Sequence, residues 1–209
     1  MTKGQKTRAA ILDEALRIAS RLGLEGLTIG SLAEATGMSK SGLFAHFGSR
    51  EELQVAILKH VEARFAETVL KPALAAPRGL AQLRAMFVNW LDWARSPELP
   101  GGCPMVAASS EFDDRPGPVR DQLARGQREW IAALKLGVAL AIEAGELARD
   151  TDPEQLVFEL YGIALATHHY RRLLGHTGAR ERALAALADL FGARFAASAA
   201  RRVAGRRGA

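Results

Sequence analysis

Two sets of residues carry types and spacings that could do chemistry. The first lies between Ser39 and Arg50, in SKSGLFAHFGSR. On a helix from Lys40 to Phe47, Leu43 and Phe47 stand four apart and share one inward face. Lys40, Ser41, Gly42, Ala45 and His46 are left outward, a short polar surface with a cation near the helix N-terminus. Such a surface fits the major groove of DNA. The N-terminal amides, with Ser39, Lys40 and Ser41, can approach phosphates, and Gly42 lets the backbone come close. The chemistry is recognition, with no bond made or broken. His46 has two readings, a DNA contact or a structural histidine fixing its helix to a neighbour.

The second set is His168, His169 and His176, with Cys103 far away in sequence. Neighbouring residues on a helix diverge by about 100°, so His168 and His169 do not chelate one ion from one face. Core, interface or pocket polarity is the better reading, and no metal or cofactor is expected. Cys103, the single cysteine, makes no internal disulfide and has no cation beside it in sequence to activate its thiol. Asp113 and Asp114 read as a polar helix end. The chain lacks a phosphate loop, a nucleophile elbow, a metal-binding helix pair and a cofactor fingerprint, so no enzyme is expected.

The elements that must position the first set are legible around it. Thr28 can cap a helix with Ile29, Leu32 and Ala33 inward, and Gly37 supplies the reversal after Thr36. Ser39 caps the next helix. Cap, helix, glycine turn, cap and helix match a helix-turn-helix. A preceding helix from Thr7 to Gly23 repeats Ile11, Ala15, Ile18, Ala19 and Leu22 at spacings of three and four, an inward stripe that closes a three-helix core. Ser49 and Glu52 form a capping-box pattern and open a fourth helix through Leu53, Ile57, Val61 and Phe65, expected to end near Pro72. Residues Thr2 to Lys6 show no pattern and are expected to be mobile, with Lys3 and Lys6 in reach of DNA.

From Thr7 to Leu58 the sequence resembles the tetracycline-repressor family of bacterial transcription regulators. The resemblance rests on this run of caps and turn and on the aromatic, histidine, aromatic pattern of Phe44, His46 and Phe47, followed by basic Arg50. Family members commonly carry tyrosine where Phe44 stands, so a hydroxyl contact to phosphate is missing here. They commonly carry lysine where Arg50 stands, and arginine keeps the charge with a broader fork of donors. The resemblance implies DNA contacts from Thr28, Ser39, Lys40, Ser41, Gly42, Phe44, Ala45, His46 and Arg50. It also implies a ligand cavity in the second half, for which Met86, Phe87, Asn89, Trp90, Trp93, Met105, Phe112, Trp130, Tyr161 and His168 are the candidates. A largely apolar small effector would suit them.

Composition agrees with an all-α protein. Of 209 residues, 48% are hydrophobic and only 6% aromatic, while Ala, Leu, Arg and Glu abound. No apolar run reaches the roughly 18 to 20 residues of a membrane span, and MTKGQKTRAA lacks the apolar core of a secretory signal, so a cytoplasmic protein is expected. The net charge of +5 gains meaning from its placement. Lys3, Lys6, Arg8, Arg17 and Arg21 lie in the first segment, and Arg201, Arg202, Arg206 and Arg207 crowd the end.

Beyond Pro77 the periodicity predicts helices over 79–94, 105–112, 119–144 and 156–174, the last opened by Asp152 and Pro153, and over 179–199. PELPGGCP, 97–104, is a loop. The last two helices carry more apolar surface than one small domain can bury, so a homodimer through 153–175 and 179–199 is expected. The domain expectation is 1–50 for the helix-turn-helix, 51–200 for a helical-bundle regulatory and dimerisation domain, and 201–209 for a disordered basic tail. The functional expectation is a repressor on a pseudo-palindromic operator, released by its effector. An activator or a ligand-independent DNA-binding protein of the same fold stays open.

Overall fold

The computed structural model describes residues 2–207, with side chains for 2 and 4–194. All regular structure among the described residues is helical. The chain divides into two compact units, Met1–Ala66 with Trp93–Arg128, and Glu67–Asp92 with Glu129–Ala209. This division interleaves the sequence, whereas the sequence reading draws its boundaries after residues 50 and 200.

In the first unit, α1 spans Lys3–Gly26, α2 Ile29–Thr36, α3 Lys40–Phe47 and α4 Arg50–Phe65. Thr2, expected to be mobile, instead caps α1: its hydroxyl accepts from the Gln5 amide, and the Gln5 side chain accepts from the Thr2 amide at 2.7 Å. The Lys3 side chain lies outside the described residues. Ile11, Ala15 and Ala19 are buried as expected, joined by Leu12 and Leu16, but Leu22 is 56% exposed. The helix breaks one residue later, at Gly23 with φ of 75° and ψ of 174°, and the chain re-enters the core with Leu24 and Leu27.

Ser49 caps α4 by accepting from the Glu52 amide at 3.1 Å, but its own amide donates to the Phe47 carbonyl, so the expected capping box forms only one arm. Leu53, Ile57 and Val61 are buried. The helical run ends near Pro72 as expected, but its last turns are irregular: a π-helical turn over Ala66–Leu70 leads into a short α5, Lys71–Ala73. Pro72 sits in the first turn of α5, where a missing amide costs nothing. α7, Pro104–Phe112, packs on α1. α8, Pro118–Glu143, begins in this unit, where Gln122 donates to both Glu62 carboxylate oxygens at 2.8 and 2.7 Å. Cys103 is buried, and burial pushes its thiol pKa above the ordinary value, the opposite of an activated thiolate.

The second unit contains α6, Leu80–Trp93 as far as Asp92, the rest of α8, α9 at Pro153–Arg172, and α10 at Ala179–Arg207. Asp152 caps α9 through the Glu154 amide at 2.9 Å. α9 and α10 pack together, with Leu156, Leu160, Ala183 and Leu187 among the buried residues. Arg180 holds Asp92 with two bonds of 2.6 and 2.9 Å. The α10 backbone runs past the expected limit at Ala199. The expectations for Phe195 and for the basic residues of 201–209 lie outside the residues with described side chains. No helix among the described residues is long and apolar enough to cross a membrane.

Candidate nucleic-acid interface

α2 and α3 are built almost entirely by local chemistry. Thr28 Oγ1 accepts from the Ser31 amide at 3.0 Å, and Ser31 Oγ accepts from the Thr28 amide at 3.1 Å. This reciprocal box fixes the start of α2. Gly37 ends it in the left-handed conformation, φ 65° and ψ 21°, and its amide bonds back to Ala33 and Glu34. A side chain is disfavoured there, and the turn that separates the helices depends on it. Ser39 then caps α3, its Oγ accepting from the Gly42 amide at 3.1 Å. Leu32, Ala33, Leu43 and Phe47 are buried between the helices.

What remains outward is the predicted surface. Ser39, Lys40, Ser41 and Ala45 are exposed, and Phe44 keeps 46% of its surface in solvent. Lys40 reaches across to α2: its Nζ lies 3.9 Å from where a Cβ on Gly30 would stand. One ammonium therefore serves the first turns of two helices, whose free amides and dipoles favour an anion. His46 is half-buried, its ring 6.2 Å from that of Phe47 and tilted by 53°. It stands beside α3's packed face as well as its open one.

Two residues have partners that the sequence did not show. Arg50, an expected DNA contact, donates through Nη2 to the Glu25 carbonyl at 2.8 Å, so one nitrogen of its fork is held within the unit. Arg8, read only as part of a basic segment, lies with Cζ 4.9 Å from the Phe47 ring centroid, which stations a cation beside α3. No local pattern connects Arg8 to Phe47, so this pairing had no sequence signal.

The expected ligand residues are distributed over both units. Trp93, Met105 and Phe112 belong to the first; Met86, Phe87, Asn89, Trp90, Trp130, Tyr161 and His168 belong to the second. Trp90 is the hub of the second group. Its ring meets Trp130 at 5.5 Å, Tyr161 at 5.1 Å and Phe87 at 6.2 Å. Asn89 spends its amide on the Val69 carbonyl in the π-helical turn, at 3.0 Å. His168 is half-buried; burial first, then Arg172 and Arg171, push its pKa below the ordinary value, so it is neutral at pH 7. A separate groove of about 290 Å³ between α9 and α10, lined by Ile163, Thr167, Tyr170, Arg182 and Ala186, contains none of the expected set.

Two short capped helices, a left-handed glycine turn and an outward polar face on the second define a helix-turn-helix protein. Residues 11–57 match the model for bacterial regulatory proteins of the tetR family, and residues 79–187 match that for the tetracyclin repressor-like C-terminal domain. The chain belongs to the tetracycline-repressor family. The transcriptional repressor AcnR of Corynebacterium efficiens is 42% identical over 91 residues, covering 43% of this chain and 48% of that protein. The chain thus spans about half the length of that relative. A TetR transcriptional regulator from Chloroflexus aurantiacus superposes with a TM-score of 0.82 at 26% identity, over 90% of this chain and 96% of its own. AibR, solved in complex with isovaleryl coenzyme A and operator DNA, superposes with a TM-score of 0.72 at 24% identity, over 88% and 98%. These proteins are regulators of transcription, not enzymes.

Proposed function

We propose that the chain is a cytoplasmic, homodimeric transcriptional repressor that occupies a pseudo-palindromic DNA operator and is released by a small, largely apolar effector. The observation that supports it most is the outward face of α3, where Lys40, Ser41, Phe44, Ala45 and His46 stand over a rigidly capped pair of helices. On this reading Thr28, Ser39 and Lys40 hold phosphates at the two helix starts, Gly42 allows close approach, and Arg50 anchors the flank. Residues 1–50 would carry DNA contact and 51–200 effector binding and dimerisation. Repressor relatives and a DNA-bound protein of the same fold support the reading.

Dimerisation through α9 and α10 is supported by the apolar side chains α9 leaves in solvent, Phe158, Leu165 and Tyr170. Two α3 helices one DNA turn apart would read a two-fold-related sequence. For the effector, the Trp90, Trp130 and Tyr161 cluster supports an apolar or aromatic ligand. An effector that prefers a helix spacing unsuited to DNA by about 1 to 3 kcal/mol would lower operator affinity roughly 5- to 150-fold.

The test is selection of duplexes from a random-sequence library, followed by fluorescence anisotropy on the recovered sequence. A recovered two-fold-related site, bound more weakly by Lys40→Ala, is the expected result. Recovery of no sequence above background would end the reading.

A further inference from the structure

Within the first compact unit, a carboxylate from α7 reaches the break in α1. Glu111 Oε2 accepts from the Leu24 amide at 2.9 Å and from the Glu25 amide at 3.1 Å. Those two amides follow Gly23 and have lost their helical partners at the kink, so Glu111 acts as a cap supplied from 86 residues away. Gly23 makes room for it. A Cβ at that position would stand 1.6 Å from Glu111 Oε1, and φ of 75° already disfavours a side chain.

The residues so capped hold the flank of the recognition helix. The Glu25 carbonyl accepts from Arg50 Nη2 at 2.8 Å, and its carboxylate lies 3.6 Å from the same nitrogen. Arg115, just beyond α7, approaches the Glu25 carboxylate at 3.2 Å. Gln54, buried on the next turn of α4, donates to the Leu24 carbonyl at 3.1 Å. Residues 24 and 25 are therefore bonded through their amides to Glu111 and through their carbonyls to Arg50 and Gln54. Arg50 is still 47% exposed in its side chain, with one edge of the fork tied and the rest open to solvent. Tethering one edge of a planar guanidinium fixes the direction of the others, which lowers the entropy lost when they meet an anion.

We infer that Glu111 is a positioning residue for DNA binding: by capping Leu24 and Glu25 it fixes the carbonyl that aims Arg50 at a phosphate beside α3. The inference rests on the DNA-binding reading. It also gives α7 a direct hold on the recognition flank, so a displacement of α7 would alter phosphate anchoring without any change inside α2 or α3.

The experiment is the salt dependence of binding to a duplex recovered by the full-length wild-type protein, read for Arg50→Ala, Glu111→Ala and the double variant, with circular dichroism reporting folding. Each neutralised phosphate contributes about 0.9 to the slope of log K against log salt. Arg50→Ala is expected to lower the slope by about that amount for each Arg50 engaged. Glu111→Ala should lower it in the same way, and the double variant no further. Glu111→Gln keeps an oxygen for the two amides and should retain the wild-type slope. If Glu111→Ala does not fold, Glu111→Asp, one methylene too short to reach both amides, carries the same expectation. A wild-type slope in a folded Glu111→Ala or Glu111→Asp protein, an additive loss in the double variant, or a Gln variant as weak as Ala would overturn the inference alone. A wild-type protein that prefers no duplex would overturn the DNA-binding reading together with it.

Discussion

The Ser20 hydroxyl joins α1 to the glycine-rich loop ahead of α7 in both directions: it accepts from the Gly101 amide at 2.9 Å and donates to the Gly102 carbonyl at 2.8 Å. All three groups are buried, so the loop's backbone has no water to fall back on. Ser20→Ala should leave an amide and a carbonyl unpaired and cost about 1 to 3 kcal/mol. Thermal melts should show a fall of roughly 2 to 4 °C for each kcal/mol lost, and an unchanged melting temperature would show that the loop holds without this bond.

Phe44 presents its ring at the surface of α3 without a polar tip. Phe44→Tyr adds one hydroxyl at the edge of the proposed interface and removes nothing. Affinity for a selected duplex should rise by about threefold to tenfold, the worth of one added hydrogen bond. Anisotropy titrations at fixed salt decide it; an unchanged or weaker affinity would place the ring away from the phosphate backbone.

Thr28 and Ser31 satisfy each other's amides at the start of α2. Thr28→Ala should lower stability by about 1 kcal/mol, as cap losses do. Because the same turn lies beside the Lys40 ammonium, affinity for DNA should fall by more than the folded fraction explains. Parallel denaturant and binding curves on one preparation separate the two effects.

Phe158 on α9 is 73% exposed and Leu173, just past its end, 72%. Apolar side chains of that size in solvent fit a surface covered by a second copy. Phe158→Glu should shift the sedimentation profile at micromolar concentration from dimer toward monomer while the helical signal of the isolated chain persists. A monomeric wild-type protein would reject the proposed interface.

His168 sets a pH dependence whose sign follows from its lowered pKa. The unfolded chain takes up this proton more readily than the folded one, so stability is complete above the ordinary histidine pKa of about 6.5 and declines as pH falls below it. His168→Gln should flatten the loss of melting temperature between about pH 7 and 5. Equal slopes for the two proteins would show that the half-buried ring is not a source of acid sensitivity.

The recognition unit was legible because its determinants are neighbours in sequence. Thr28, Gly37 and Ser39 act within three or four residues of themselves, and the Leu43 and Phe47 spacing already separates an inward from an outward face. Helix positions in the second half were readable for the same reason, from periodicity and from Asp152 and Pro153. The stripe through Leu22 misled because spacing places Leu22 on the inward face without showing whether a neighbouring element covers that end of the helix, and it is 56% exposed.

Local spacing thus determined by itself that this protein is all-helical, where its helix-turn-helix lies, and which face of α3 is polar. Only the tertiary structure decided that Arg8 rests on Phe47, that Glu25 holds Arg50, and that Glu111 caps the α1 break. Those bonds join residues tens of positions apart. They form when folding has removed competing water and closed the intervening chain, and neither condition leaves a repeat in the sequence.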